Sequence, residues 1–333
     1  MQQLTTREVV SLFEGEYGPE GVELAISYML ERLEAKKKVK GVEYHWLLMS
    51  LASLKIPKHI VVNIINLKQE DHFNEHLLKY TLPLYRNDLF GIADVYILDY
   101  KLTVAEKRQH VDFLDKQYYS WLDDLFNIKQ KDKIIHKLRK EVECYRSKLD
   151  KYTLKYNITG NRKKYRDKLM VLYSRFCYIL AKQHFEALDT KYYFIEFGTR
   201  TVAFDAPVYA HILFRHYGAG LHLFDTGKSF HSSDSDYKNI NLELENVFST
   251  LASNGFSLIE PISYLPVRLR GTKKAICTKK LELSLKGKGK VNVDLITSYY
   301  PIEVEDNLRD LDTRYEEVVI SDELSVFILN PPT

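Results

Sequence analysis

The stretch Thr190-Lys-Tyr-Tyr-Phe-Ile-Glu-Phe-Gly-Thr-Arg-Thr-Val-Ala-Phe204 decides the fold class. Tyr192–Gly198 and Thr201–Phe204 are short runs of aromatic and β-branched residues on either side of a Gly-Thr turn, which predicts two strands. Upstream, apolar residues recur at spacings of three and four, as in Val22–Leu33, Tyr44–Leu54 and Ile60–Leu67, which predicts helices. Downstream, Pro207 opens a helix through Tyr217, and Lys238–Ser253 reads as another. Strands then follow over 256–261, 267–269, 275–278, 281–285, 291–296 and 318–328, with Lys286–Lys290 as a hairpin turn. The expected class is α+β: a helical N-terminal region and a long helical hairpin, then a C-terminal domain of helices packed on an antiparallel sheet. Boundaries are expected at 1–115 for the helical region, 116–187 for the hairpin and 188–333 for the α+β domain with an acidic tail. Within the hairpin, one helix is expected over 116–152 and another over 162–187. Thr5-Thr6 ahead of Glu8 marks the first helix start.

Composition sets outer limits. At 333 residues the chain suits two or three compact units. With 45% apolar residues, 24 Tyr and 16 Phe, it has the material for packed cores. Three separated cysteines fit a reducing cytoplasm and no zinc ribbon. No signal-peptide pattern opens the chain and no uncharged apolar run approaches a membrane span, so no membrane partner is expected. Charge is strongly segmented. Residues 129–168 hold 15 Lys/Arg against 5 Asp/Glu (+10) and residues 268–290 hold 9 against 1 (+8). Residues 303–323 hold 2 against 9 (−7). Basic blocks of this density fit a polyanionic partner, and the acidic block is expected to cover a basic face or to serve as a charged edge strand.

Chemistry concentrates in the last third. Tyr209-Ala-His-Ile-Leu-Phe-Arg-His-Tyr217 places His211, Arg215 and His216 within six residues. Imidazole takes and gives protons near neutral pH, and guanidinium holds phosphate in a planar fork. These are the parts needed for attack of an RNA 2′-hydroxyl on the adjacent phosphorus: a base, an acid and cations that receive the spreading charge. His216, flanked by Arg215 and Tyr217, is the expected base. His211 lies five residues away, roughly 140° round a helix, so one helix does not easily aim both rings at one point. The acid is expected to be His211 or His231. Arg268 and Arg270 are expected to neutralise the phosphate, with Arg215, Lys228 and Lys273 as further phosphate ligands. Thr297, Ser298 and Tyr299, in Leu295-Ile-Thr-Ser-Tyr-Tyr-Pro301, are expected to position it.

Rival chemistries have less support. Walker and GxGxxG loops are absent, Cys177 reads as core, and Asp225, Asp234, Asp236 and His231 match no metal template. Neither a metal nor a cofactor is expected.

The order of a His/Arg-His helix, a second helix and a strand meander ending in Ile-Thr-Ser-Tyr-Tyr-Pro resembles the barnase–EndoU–colicin D–RelE-like ribonuclease superfamily, in its phage- and toxin-associated branches. The resemblance covers residues 190 to about 305. It implies metal-independent RNA cleavage of toxin or phage-defence type, carried by His211, Arg215, His216, Arg268, Arg270, Thr297, Ser298 and Tyr299. RNA is the implied partner, and the helical region is an expected docking site for an inhibitor or sensor; self-association stays open. The alternative is a non-catalytic nucleic-acid-binding or adaptor protein on a nuclease-like fold.

Overall fold

The structure, a computed structural model, describes residues 4–13, 17–35, 47, 96–97, 100–101, 103–155, 160–217, 229–231, 237–256, 263–285 and 289–330; every statement below concerns these. Lys228, Asp225, Asp234 and Asp236 lie outside them. So do the helix expected over 60–67 and most of the helix expected over 44–54, of the strand over 256–261 and of the hairpin turn over 286–290, of which only residues 47, 256, 289 and 290 are described. The chain divides into two compact units. The first comprises Met1–Lys131, Arg139–Phe176 and Tyr217–Thr226; the second comprises Asp132–Leu138, Cys177–His216 and Gly227–Thr333. The helical hairpin expected over 116–187 therefore contributes to both units.

In the first unit, α1 (Thr6–Phe13) begins with a reciprocal cap. The Glu8 carboxylate accepts the Thr5 N–H at 2.7 Å, and the Thr5 hydroxyl oxygen accepts the Glu8 N–H at 3.3 Å. The Thr5 N–H, together with the Thr5 hydroxyl donating to the same carboxylate oxygen at 2.7 Å, holds the Glu8 carboxyl below its ordinary pKa. Helix α2 spans Gly18–Glu34. The region is not wholly helical: β1 (Tyr96–Ile97) and β2 (Tyr100–Lys101) form a small antiparallel pair. The single helix expected over 116–152 is two, α3 (Val104–Phe126) and α4 (Lys133–Lys155). Side chains make the break. Asn127 Oδ1 accepts the Lys129 N–H at 2.9 Å, and Asp132 Oδ1 accepts the Ile134 N–H at 2.7 Å, capping the new helix. Helix α5 spans Gly160–Ala187. Trp121 donates to Ser174 at 2.7 Å, and Asp167 accepts from Tyr118 (2.7 Å) and from both arms of Arg146 (2.6 and 2.8 Å). The Trp121–Ser174 bond lies in a face rich in buried aromatic rings, where an orphaned polar atom would be costly, whereas the Asp167 bonds are only part-buried.

The second unit is α+β. Its strands are β3 (Tyr192–Phe197), β4 (Arg200–Asp205), β5 (Tyr264–Leu269), β6 (Thr272–Leu285), β7 (Gly289–Pro301), β8 (Tyr315–Ser321) and β9 (Leu324–Leu329), in spatial order β3-β4-β7-β6-β5-β9-β8. Five joints are antiparallel, as expected, but β4 and β7 run parallel, so the sheet is mixed. The runs expected as separate strands at 275–278 and 281–285 are one strand, β6, paired along almost its whole length with β7. Two-residue geometry closes β5 onto β6, with Arg270 and Gly271 both at positive φ (48° and 78°).

Helix α6 (Ala206–His216) follows β4 directly, capped by Asp205 Oδ1 accepting the Val208 N–H at 3.0 Å. Helix α7 (Ile240–Ser253) lies against β3 through the Phe197–Phe248 ring contact. The acidic stretch is not a tail. It folds as α8 (Glu305–Arg314) followed by the β8–β9 hairpin, and β9 pairs with β5. Leu311, Ile302 and Phe327 pack on Ala275, so this segment is part of the core.

Candidate functional site

The free edge of β7 is where the C-terminal unit gathers its histidines. Among the described residues β4 pairs with β7 only at Val202–Asp294 and Ala203–Leu295. Asp205 then leads into α6, and among the described residues no strand pairs with β7 on that side from Thr297 onward. The last turn of α6 and the segment Ser229–His231 line the gap. The His231 N–H donates to the His216 carbonyl at 2.8 Å, and the Glu303 N–H to the Ser229 hydroxyl at 3.1 Å. His231 Nε2 lies 3.1 Å from the Tyr299 carbonyl. A carbonyl only accepts, so His231 carries its proton on Nε2 and satisfies what would otherwise be an orphaned edge acceptor.

A bulge aims the serine. Ser298 faces Cys277 while Ile296 faces Thr278, leaving Thr297 as the extra residue. Neighbours on β6 point to opposite sides of the sheet, so Ser298 and Ile296 do as well, against the ordinary alternation along β7. The Thr297 hydroxyl donates to the Cys277 carbonyl at 3.2 Å and braces the bulge. Ser298 Oγ thereby comes within 3.3 Å of His216 Nε2, 82 residues away in sequence. His216 Nδ1 lies 3.1 Å from the Ser229 carbonyl and must donate to it. In the neutral ring Nε2 is then the acceptor and the Ser298 hydroxyl the donor. This is a base oriented by a fixed partner and aimed at a hydroxyl. Tyr300 stacks on the His216 ring (5.0 Å between centroids, 17° between planes). The Tyr300 phenol is pushed well above its ordinary pKa, chiefly by burial, so it stays protonated at neutral pH. Burial also raises the Cys277 thiol, against a nucleophilic role.

His211 belongs to the same cluster. Its ring meets that of His216 edge-on at 6.1 Å, so the 140° separation on the helix does not keep the two rings apart. All three histidines are buried, His216 with 8% of its surface exposed; the site is not an open cleft. Arg215, the residue before His216 in the last turn of α6, is half-buried. Tyr299, expected to position substrate by its side chain, instead buries its ring, and its hydroxyl donates to Glu243.

The expected phosphate cations lie elsewhere. Cys277, opposite Ser298, pairs with Tyr264 on β5, and Arg268 is four residues further along. Two strand spacings and four residue rises put the Arg268 and Ser298 backbones roughly 16 Å apart. Arg268 pairs with Glu317 at 2.8 Å, Arg270 with Glu323 at 3.1 Å, and Lys273 with Asp312. Three cations of the +8 block are thus met by carboxylates of the acidic segment, while Lys274 pairs with Glu243 and Lys290 with Glu282. The structure brings together His211, His216, His231, Thr297, Ser298 and Tyr299, with Arg215 adjacent in sequence to His216, and leaves Arg268, Arg270 and Lys273 apart.

Three participants escaped sequence reasoning. Tyr300 was visible only as one of a doubled tyrosine. Ser229 contributes a backbone carbonyl, which no residue type announces. Glu243 reads as an ordinary acidic residue in a first helical turn. Among the described residues no group of three or more His, Cys, Asp or Glu side chains is placed to hold a metal ion, and no helix is long and apolar enough to cross a membrane. Compared with protein-family models, curated proteins and solved structures, the chain matches none.

Proposed function

We propose that the C-terminal unit is a metal-independent ribonuclease domain that cleaves RNA by attack of the 2′-hydroxyl on the adjacent phosphorus. The observation that carries this reading is the approach of Ser298 Oγ to His216 Nε2, with Nδ1 held by the Ser229 carbonyl. The RNA 2′-hydroxyl takes the place of the serine hydroxyl on Nε2, and His216 removes its proton. Ser298 then turns its hydroxyl to the phosphate, and Arg215 supplies positive charge beside it. The leaving 5′ oxygen takes its proton from His211, because the Nε2–H of His231 is held in a hydrogen bond to the Tyr299 carbonyl. Arg268, Arg270 and Lys273 have no direct part; they belong to a salt-bridged face some distance off. An unrestrained ribonuclease harms its own cell, so a cytoplasmic toxin or phage-defence setting and an inhibitor or sensor partner follow.

A second reading, a nucleic-acid-binding adaptor, is favoured by the burial of the three rings and by the lysine face of α4. There Lys140, Lys148, Lys151 and Lys155 lie opposite the buried Val142, Tyr145 and Leu149.

Labelled RNA incubated in EDTA with wild type, His216→Ala and Ser298→Ala separates the two. Cleavage by wild type that both variants lose supports the enzyme. Undiminished binding with no cleavage by any of the three supports the adaptor.

A further inference from the structure

Behind the His216–Ser298 pair lies a second polar cluster that the proposed chemistry does not use. The Tyr299 hydroxyl donates to Glu243 Oε1, and the Lys274 ammonium reaches the same oxygen. Lys274 also stands over the Tyr299 ring, 5.1 Å from its centre. The three residues are far apart in sequence and meet from three elements, Glu243 from the first turn of α7, Lys274 from β6 and Tyr299 from β7. Only 10% of the Lys274 side chain and 23% of that of Glu243 is exposed, and Tyr299 is 1% exposed. A near-buried ion pair is a poor way to gain stability, because desolvation offsets most of the attraction and apolar residues of similar size do as well. Such a pair is better suited to fixing one arrangement. What it fixes here is Tyr299, whose carbonyl orients His231 and whose neighbour is Ser298.

We infer that Glu243 and Lys274 are positioning residues for the His216–Ser298 pair, acting through Tyr299. This rests on the ribonuclease reading for its kinetic consequence, but its structural content stands apart from it. Glu243 presents an oxygen that holds the Tyr299 phenol on one face of β7. Lys274 keeps that carboxylate in place and closes over the ring. With the phenol anchored, β7 cannot slide or twist at the bulge, so the Ser298 hydroxyl stays in reach of Nε2 and the Tyr299 carbonyl stays in line with His231. What is required of Glu243 is an acceptor at that point rather than its charge. Its charge is needed only because Lys274 is there.

The test uses the full chain with histidine ring nitrogens labelled for NMR, alongside RNA binding and single-turnover cleavage. The variants are Tyr299→Phe, Glu243→Ala and the double variant Glu243→Gln with Lys274→Met. Tyr299→Phe removes one oxygen and keeps the fold. In it and in Glu243→Ala, the His216 and His231 ring signals should leave their single-tautomer positions. Cleavage should fall about tenfold or more at saturating RNA with affinity unchanged, while the double variant stays within about threefold of wild type. Wild-type ring spectra in Tyr299→Phe and Glu243→Ala, even with a lowered melting temperature, would show a merely structural cluster and overturn the inference. A wild type that does not cleave RNA overturns the ribonuclease reading instead, and the ring spectra still decide the positioning role.

Discussion

Two clusters in the C-terminal unit hold the residues expected to handle phosphate, and they are built on opposite plans. The histidine cluster at the free edge of β7 is built on hydrogen bonds to the backbone and to a hydroxyl: two ring N–H groups donate to backbone carbonyls, and a serine hydroxyl faces the remaining His216 nitrogen. The cation cluster on the β5–β6 hairpin joins full charges, each Arg or Lys held by one carboxylate from α8, β8 or the β8–β9 turn. The first is buried and depends on geometry. The second is largely exposed and depends on charge, which water and salt screen. Residue type alone would have assigned both to one site. What separates them is the partner that each polar atom finds on folding.

The largest effect that would sharpen this contrast is on chemistry. His216→Ala should lower RNA cleavage by about 10²-fold or more, the scale of a lost general base, while Arg268→Ala stays within about twofold on the same substrate. Equal losses would break the comparison and return Arg268 to the site. Ser298→Ala comes next: single-turnover cleavage should fall by roughly 10²-fold, as when one donor to a developing oxyanion is removed, with RNA affinity held.

The cation cluster should answer to salt instead. Neutralising its three carboxylates together (Asp312→Asn, Glu317→Gln, Glu323→Gln) releases three cations. RNA affinity should rise, and its log–log dependence on salt should steepen by up to about two units. An unchanged slope would mean that this face never meets RNA. The smallest contrast is in stability, read by chemical denaturation. His231→Ala strips the Tyr299 carbonyl of its donor and should cost about 1–3 kcal/mol, whereas Glu317→Ala breaks a part-exposed ion pair and should cost under about 1 kcal/mol.

Much of this architecture is legible in the sequence. The strand pair opening at Tyr192, the helix carrying His211 and His216, and the late strand bearing Thr297–Tyr299 all lie close to where composition and periodicity put them, because those signals are local. Strand order is not local. Nothing in the texture of Thr201–Phe204 tells that it joins β7 in parallel, so the free edge beyond Leu295 was invisible. The bulge at Thr297 was equally hidden, since one extra residue leaves the apolar pattern intact yet turns Ser298 to the other face. The acidic stretch was legible in part: it was expected to cover a basic face or to form a charged edge strand, and β8 lies at the sheet edge while carboxylates of the stretch meet the lysine and arginines of the hairpin. Its charge hid that Leu311, Val326 and Phe327 bury enough surface to fold it onto the core. The helix break between Phe126 and Lys133 was written in Asn127 and Asp132, two side chains that bond to backbone N–H groups more readily than they continue a helix.

The central claim, that His216 removes a proton from an RNA 2′-hydroxyl, is tested most directly by the ends that cleavage leaves. Wild-type protein in EDTA should convert a labelled oligoribonucleotide to fragments ending in 2′,3′-cyclic phosphate, and should leave uncut the same oligonucleotide bearing 2′-deoxy sugars. Cleavage of the deoxy substrate, or fragments ending in 5′-phosphate, would contradict it.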